Sequence, residues 1–456
     1  MTVDRLNRDR ARDARHLALA FVASFLCLVT SLATSAEETS NCAVGTYRLS
    51  GGETIDVAPS TGTTLRWRAL SGETGQLHQK NGSWNSTYGW TDRPDGKTMS
   101  FDCDKGEMTV DKQSGKRIDF AVSESTFESG DIKLAGRLIL PKGNDKVPVV
   151  VLIHGSEHDS ARDFNPLQRL FPAQGVGAFV YDKRGTGLSG GTYTQDFDTL
   201  AGDAVAAMRQ ARRAAGLRAG RVGYQGGSEA GWVIPLAVNR EPVDFAIVSF
   251  GLAVTVLEED QQSVALDMRF HHHSAEDTKK ALRLARAGEK VIETGGRKGY
   301  AEFDALREKY KSEPWYKDVH GDFLFFVLPL NQAQIIDAIA KNFNFHTPFH
   351  YEPMPALRRS TTPQLWVLGS DDMEAPSDET ARRIKSLIAA GRNYTLAVYP
   401  GAEHGMTRYE LTADGVRVST RYAPGYFKMI GDFARDGRLG TAYGDAVIAR
   451  PGKTAP

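Results

Sequence analysis

The chain has 456 residues, of which 56 are Lys or Arg and 56 are Asp or Glu, so its formal net charge at neutral pH is zero. This balance excludes the basic footprint of a nucleic-acid-binding protein. The length exceeds the ~250–300 residues at which a single hydrophobic core stops growing, so we expect two or three structural units.

The amino terminus has the layout of a secretory signal peptide. Five arginines between Arg5 and Arg15 precede an apolar run from Leu17 to Ala33, and small residues follow up to Ala36. We therefore predict a signal peptide over residues 1–36, with cleavage near Ala36 and export to the periplasm or the medium. The alternative, that this segment stays in place as an anchor, remains open because the leader is long and contains three aspartates.

Residues 37–125 are predicted to form a small β-rich accessory domain. The segment is rich in Gly, Thr, Ser and aromatic residues with short alternating runs such as Tyr47-Arg48-Leu49. Cys27 would be discarded with the signal peptide, which leaves Cys42 and Cys103 in the mature chain. An even cysteine count in an oxidising compartment favours a disulfide between them, and two free buried thiols are the alternative.

Two strand-like runs follow. Val147–Ile153 is a continuous apolar run, typical of a strand buried on both faces of a parallel sheet, and it ends in His154-Gly155-Ser156. Ala178–Tyr181 is the second run, and a helical segment over Thr199–Ala215 leads into a third strand. Strands and helices that alternate in series imply right-handed crossovers and a doubly wound sheet.

The third strand runs into Gly226-Gly227-Ser228-Glu229-Ala230, a Gly-x-Ser-x-Ala pattern. A serine at the apex of a sharp strand-to-helix turn has strained backbone dihedrals, so the residues two before and two after it must be nearly free of side chain. Gly226 and Ala230 meet this demand. A Gly-Ser run by itself is more often a plain surface turn, so its interpretation as a nucleophile elbow depends on the motifs that accompany it.

The remaining elements place an acid and a histidine at strand ends. After a strand at Phe245–Phe250, residues 252–362 form an insertion too long for a plain loop, and its periodicity predicts a helical cap. A strand over Gln364–Gly369 ends at Asp371 and Asp372, and Thr395–Pro400 opens into His404. The tail after Leu439 is rich in Gly and Ala, and we expect it to be frayed.

These motifs together resemble the α/β-hydrolase superfamily, in particular bacterial serine esterases that carry a helical cap. The resemblance runs from about Phe127 to Leu439. It implies an α/β fold with a doubly wound, mostly parallel sheet and an inserted helical cap over 252–362, beside the β-rich domain. The hydrolase core would then consist of residues 126–251 and 363–456. The motifs that carry the resemblance occur in family order and are His154-Gly155-Ser156, Asp182-Lys183-Arg184-Gly185, Gly226–Gly231, Gly369–Asp372 with Pro376, and Pro400–His404.

The resemblance also implies the site residues. Ser228 would be the nucleophile, His404 its base, and Asp372 the acid, because the acid of relatives lies four residues before a proline and Pro376 is that proline; Asp371 is the alternative. The oxyanion hole would be formed by the backbone N–H groups of Glu229 and Ser156. We further expect the Glu229 side chain to point outward into the cleft and to favour neutral or cationic substrates.

The function that follows is an exported serine hydrolase that cleaves small-molecule carboxylic esters through a Ser-His-Asp triad and an acyl-enzyme. A peptidase, acyltransferase or thioesterase would use the same triad, and a non-catalytic binding protein is a further alternative. No cofactor, metal, nucleic acid or membrane span in the mature chain is expected. The run His271-His272-His273 is interpreted as a polar helix face or cap loop, since no suitably spaced ligands accompany it. The sequence gives no indication of oligomeric state.

Overall fold

The computed structural model describes residues 42–342 and 346–452. The predicted signal peptide, residues 1–36, lies outside this range. The described chain consists of an amino-terminal β-barrel, a nine-stranded sheet flanked by helices, and a helical insertion. In these residues no helix has both the length and the apolar character needed to cross a membrane.

The first unit is a closed barrel of eight antiparallel strands, in which each strand pairs with the next and β1 pairs with β8. Trp67, Leu77 and Met99 are among the buried residues of its interior. A disulfide joins Cys42, just before β1, to Cys103 in the turn after β6. The predicted β-rich domain and its disulfide are both confirmed. The strands are β1 (Gly45–Leu49), β2 (Thr54–Pro59), β3 (Leu65–Ala69), β4 (Thr74–Lys80), β5 (Ser83–Thr87), β6 (Pro94–Asp102), β7 (Glu107–Val110) and β8 (Gln113–Arg117).

The second unit is a mixed sheet with the strand order β19-β16-β15-β14-β13-β11-β12-β10-β9. The six strands from β11 to β16 run parallel to one another, whereas β9, β10 and β19 are antiparallel to their neighbours. The predicted doubly wound, mostly parallel sheet is therefore confirmed. The strands are β9 (Phe120–Ser129), β10 (Ile132–Pro141), β11 (Val147–Ile153), β12 (Gly177–Tyr181), β13 (Ala219–Gly227), β14 (Phe245–Ser249), β15 (Gln364–Gly369), β16 (Tyr394–Tyr399) and β19 (Val447–Ala449).

Helices cover both faces of this sheet, and each face has its own apolar core. One core contains side chains of α3 (Phe197–Ala215), α4 (Ala230–Arg240) and α11 (Asp378–Ala389). The other contains side chains of α2 (Leu167–Leu170) and α12 (Tyr426–Asp436). A short helix, α1 (Ala161–Phe164), precedes α2.

The insertion between β14 and β15 is helical, as its periodicity predicts. A separate cluster of buried side chains, including Phe303, Trp315 and Leu324, forms its core. This cluster is separate from the two cores of the sheet, although Val256 of the insertion packs in one of those cores. The helices of the insertion are α5 (Val256–Phe270), α6 (Ala275–Glu293), α7 (Tyr300–Tyr310), α8 (Leu324–Val327), α9 (Gln332–Asn342) and α10 (Met354–Arg359).

A two-stranded hairpin links the barrel to the sheet. It consists of β17 (Thr407–Leu411) and β18 (Arg417–Tyr422) and begins three residues after His404. Backbone hydrogen bonds join it to the barrel, from Trp90 N to Ser419 O at 2.9 Å and from Tyr422 N to Gly72 O at 2.8 Å. The barrel is thereby attached to the segment that carries the predicted catalytic histidine.

Two features of the fold differ from the sequence-based expectations. Strand β9 begins at Phe120, so the sheet starts before the predicted boundary at 125–126. This strand was not predicted because it is an edge strand whose residues are mostly partly exposed, so its sequence is polar. The expectation of a frayed tail after Leu439 is wrong for the described part. Val447–Ala449 pair with β16, and the hydroxyl of Tyr443 donates to Asp432 at 2.7 Å.

Candidate active site

Ser228 lies at the sharp turn between β13 and α4. Its φ is +55°, a left-handed value that is rare for a residue other than glycine. A Cβ added to Gly226 would lie 2.4 Å from the Cβ of Ala230, and one added to Gly227 would lie 2.3 Å from the ring of Phe250. The two glycines therefore allow the strand, the helix and the neighbouring loop to approach one another at the serine, as a nucleophile elbow requires.

Asp372 and His404 are in direct contact at the ends of β15 and β16. Nδ1 of His404 lies 3.0 Å from Oδ2 of Asp372 and 3.2 Å from Oδ1. The backbone N–H groups of Glu374 and Ala375 donate to Oδ1 at 3.1 and 2.7 Å, and the Asp372 side chain is buried. This carboxylate is therefore held rigidly, and it fixes the imidazole tautomer that carries its proton on Nδ1.

Asp371 points elsewhere. Its carboxylate accepts hydrogen bonds from the hydroxyls of Tyr409 at 2.8 Å and Ser370 at 2.7 Å. The two adjacent acids thus diverge, and it is Asp372 whose side chain reaches the histidine. The geometry favours Asp372 over Asp371 as the acid.

The other ring nitrogen of His404 faces a carboxylate that sequence reasoning missed. Nε2 lies 3.6 Å from Oε1 of Glu374, and the imidazole packs edge-on against Phe250 at 4.8 Å between centroids. Burial lowers the pKa of His404, but the negative charges of Glu374 and Asp372 outweigh this effect and raise the pKa to about 10. Glu374 follows Asp372 by two residues, and that spacing is the only signal in the sequence.

Ser228 and His404 are linked through Phe250 and are not hydrogen-bonded to each other. Phe250, which packs on His404, also closes over Gly227, the residue before the serine. No hydrogen bond joins the Ser228 hydroxyl to the imidazole among the residues that the structure describes.

The predicted oxyanion loop lies beside the serine. A Cβ placed on Gly155 would be 3.6 Å from the Cβ of Ser228, which brings the His154–Ser156 segment against the elbow. The Tyr193 hydroxyl donates to the carbonyl of Ser156 at 2.8 Å and helps to hold this loop. In the described chain the Glu229 N–H, at the amino terminus of α4, donates no hydrogen bond. This N–H group is one of the two donors predicted for the oxyanion hole.

The expectation for the Glu229 side chain is wrong. It is buried, and its carboxylate forms an ion pair with Nζ of Lys183 at 2.5 Å. Burial raises the pKa of Glu229 to about 7, although Lys183 acts in the opposite direction. Lys183 also donates to the carbonyl of Gly155 at 3.2 Å, so one ammonium group connects the oxyanion loop to the residue after the serine. The carboxylate points away from the cleft because this cation lies behind the elbow, at the end of β12.

The histidine run belongs to the cap. His273 Nε2 lies 2.8 Å from Asp318, and His271 Nδ1 lies 3.0 Å from the carbonyl of Asp267. Within residues 42–342 and 346–452, no group of three or more His, Cys, Asp or Glu side chains is arranged to hold a metal ion.

No protein-family model and no curated protein matches the sequence. Among solved structures, an esterase of Pyrococcus furiosus is 15% identical with a TM-score of 0.40, and the match covers 63% of this chain and 83% of that one. Proline iminopeptidase of Mycobacterium smegmatis is 16% identical with a TM-score of 0.39, over 62% and 91%. An acylaminoacyl peptidase of Pyrococcus horikoshii is 15% identical with a TM-score of 0.40, over 83% and 55%.

The fold assignment depends on the topology of the chain itself. The serine stands on a strand-to-helix elbow, and the acid and the histidine follow it in chain order at the carboxyl ends of later parallel strands. This combination of sheet, elbow and residue order is that of the α/β-hydrolases. The chain therefore has the α/β-hydrolase fold, with a helical cap inserted after β14 and a closed β-barrel at its amino-terminal side.

Proposed function

We propose that the protein is an exported serine hydrolase that cleaves carboxylic esters through Ser228, His404 and Asp372. The observation that carries the proposal is the contact between the buried Asp372 and Nδ1 of His404, next to a serine at φ +55° on an elbow. An acid, a histidine and a strained serine at the carboxyl ends of strands of one sheet are what acyl transfer to a hydroxyl requires. Export is supported by the Cys42–Cys103 disulfide and by the predicted leader.

In the mechanism that we propose, Nε2 of His404 accepts the proton of the Ser228 hydroxyl as its oxygen attacks the ester carbonyl. Asp372 stabilises the imidazolium that forms. The negative oxygen of the tetrahedral intermediate is bound by the N–H groups of Glu229 and Ser156. His404 then protonates the leaving alcohol, and the acyl-enzyme is hydrolysed by a water molecule that the same imidazole activates.

Fluorophosphonate labelling tests this function. We expect the purified mature protein to be labelled at Ser228 and to hydrolyse p-nitrophenyl esters, and Ser228→Ala should lose both properties. Ser386→Ala is a matched control, because Ser386 is exposed on α11 and its hydroxyl only donates to a carbonyl of its own helix.

The outcomes separate the alternatives. Turnover of peptides or acyl transfer in place of ester hydrolysis, lost in the same variant, would reassign the enzyme to a peptidase or acyltransferase. A folded wild-type protein that is neither labelled nor active on any acyl donor would overturn the catalytic proposal in favour of a binding protein.

A further inference from the structure

Phe250, the residue after β14, has a strained backbone. Its φ is +42°, in the left-handed region, where a bulky residue is a genuine outlier. The N–H of Phe250 donates to the carbonyl of Val367 on β15 at 2.7 Å. The carbonyl of the preceding residue, Ser249, accepts the N–H of Ser228 at 3.2 Å. Strain of this kind persists only where the surrounding structure imposes it, and it is concentrated at functional sites.

The ring of Phe250 occupies the space that a side chain at position 227 would take. The three atoms that a Cβ on Gly227 would meet first all belong to this ring, at 2.3, 2.4 and 3.2 Å. The backbone of Gly227 does not itself require glycine, because its φ is not left-handed. It is therefore the packing of Phe250 that demands a residue without a side chain just before the serine.

The same ring packs against His404. The two rings lie edge to face with 4.8 Å between their centroids. Asp372 holds the imidazole at Nδ1, at 3.0 Å. A ring packed against the imidazole limits the rotation of the side chain, so Phe250 restrains His404 at a second point. One side chain is thus in contact with both the elbow and the histidine.

We propose that Phe250 is a positioning residue, which sets the place of the His404 imidazole relative to the Ser228 elbow. The inference rests on the proposed function, in which Nε2 of His404 accepts the proton of the serine hydroxyl. Because the ring lies between Gly227 and His404, a displacement of either one is transmitted to the other. This role needs no contact between Phe250 and the substrate. Loss of the ring should therefore slow the steps that use the imidazole and leave substrate binding nearly unchanged.

Phe250→Ala tests the role of the ring. We expect kcat for a p-nitrophenyl ester to fall about tenfold to a hundredfold while KM changes less than about twofold, since a displacement of about 1 Å is enough for such a loss. Phe325→Ala removes the same ring from an exposed position in the cap and should leave kcat unchanged. In a His404→Ala background, Phe250→Ala should have no further effect on the residual hydrolysis, because the imidazole that it positions is absent.

Gly227→Ala disturbs the same contact from the other side. The new methyl group would lie 2.3 Å from the ring of Phe250 and should displace it, so we expect kcat to fall about tenfold or more. In a Phe250→Ala background the same change should lower kcat by less than about twofold, because the methyl group then has room. Gly202→Ala on α3 is the control, since a Cβ there would meet nothing closer than 3.4 Å.

Phe250→Gly separates the position of the histidine from the stability of the fold. Glycine adopts a left-handed φ without strain, so this variant should resist urea better than Phe250→Ala and yet be equally slow. It also takes the place of Phe250→Ala in each comparison if that variant does not fold.

Three results would overturn the inference: a raised KM in place of a lowered kcat, an effect of Phe250→Ala that persists in the His404→Ala background, or independent effects of the changes at positions 227 and 250. A folded wild-type protein without any labelling at Ser228 would instead overturn the proposed function.

Discussion

Lys183 and Glu229 form a buried ion pair at the elbow, and losing one partner should destabilise the fold. Lys183 and Glu229 are both buried and lie 2.5 Å apart, and Lys183 also reaches the carbonyl of Gly155. Removing one partner of such a pair leaves an uncompensated charge in a region that excludes water. We expect Lys183→Met to lower the free energy of unfolding by about 3–5 kcal/mol, measured by urea denaturation.

The double variant controls for the loss of the lysine stem. If the cost comes from the unpaired carboxylate, Lys183→Met with Glu229→Gln should recover a large part of the stability, because neither charge then remains. The interpretation would be contradicted if the double variant lost the sum of the two single effects, since the residues would then act independently.

The acidic surroundings of His404 also predict the pH dependence of activity. The imidazole must be neutral to accept the serine proton, and its pKa is raised to about 10 by Glu374 and Asp372 against the effect of burial. For a neutral ester, kcat/KM should therefore rise with pH throughout the neutral range, with its midpoint near pH 10. In Glu374→Gln the midpoint should move to lower pH, because one of the two main negative charges is gone.

Stability should follow the opposite trend with pH. The folded pKa of His404 lies above the value of about 6.5 in an unfolded chain. Its pairing therefore stabilises the fold fully below pH ~6.5, and this contribution is lost as the pH rises through about 10.

The pH dependence of activity tests the role of Glu374. A pH–rate profile with the same midpoint in the wild type and in Glu374→Gln would contradict the assignment of Glu374 as a source of the raised pKa of His404.

At the scale of secondary structure, the elements that carry the candidate site could be predicted from the sequence. Strands β11, β12 and β14 to β16 are mostly buried, so they appear as apolar runs, and glycines or a proline lie close to Ser228, Asp372 and His404 after β13, β15 and β16. The elbow could be predicted because the steric contact that constrains Gly226 and Ala230 joins two residues only four positions apart in the sequence. The order of these short motifs was enough to indicate the fold.

Other elements depend on contacts between distant segments and left little trace in the sequence. Strand β9 is polar because it is an edge strand, and β19 is only three residues long and pairs with β16 across the domain. The position of the Glu229 side chain is decided by Lys183, 46 residues earlier. Glu374 gains its place beside His404 only when the loops after β15 and β16 come together. Periodicity reports none of these contacts, since it reflects burial along one element.

Across the whole molecule, the barrel and the hydrolase unit are connected by more than a linker. The hairpin after His404 shares backbone hydrogen bonds with the barrel, and the ring of Trp90 packs edge-on against Tyr422 at 5.5 Å. A second contact involves β2 of the barrel, where Asp56 accepts two hydrogen bonds from Arg169 of α2, at 2.6 and 3.1 Å. The carboxylate of Asp56 is fully buried. The barrel thus braces both the segment that holds the histidine and the helix layer behind the oxyanion loop.

The buried ion pair between Asp56 and Arg169 should contribute more to the stability of the barrel's attachment than an exposed ion pair does. We expect Asp56→Asn to lower the free energy of unfolding by about 2–4 kcal/mol, because the guanidinium of Arg169 is left mostly buried without its charge partner. Arg93 and Glu410 form a matched exposed ion pair across the same two units, and Arg93→Ala should lower the free energy of unfolding by at most about 1 kcal/mol.

The two variants can be compared by urea denaturation, followed both by tryptophan fluorescence and by labelling of Ser228, because a chain with several units need not unfold in one step. If the barrel braces the site, labelling should be lost at lower urea in Asp56→Asn than in Arg93→Ala. Equal losses in the two variants would mean that the barrel is held by its hairpin contacts alone, and that the buried ion pair contributes no more to docking than an exposed one.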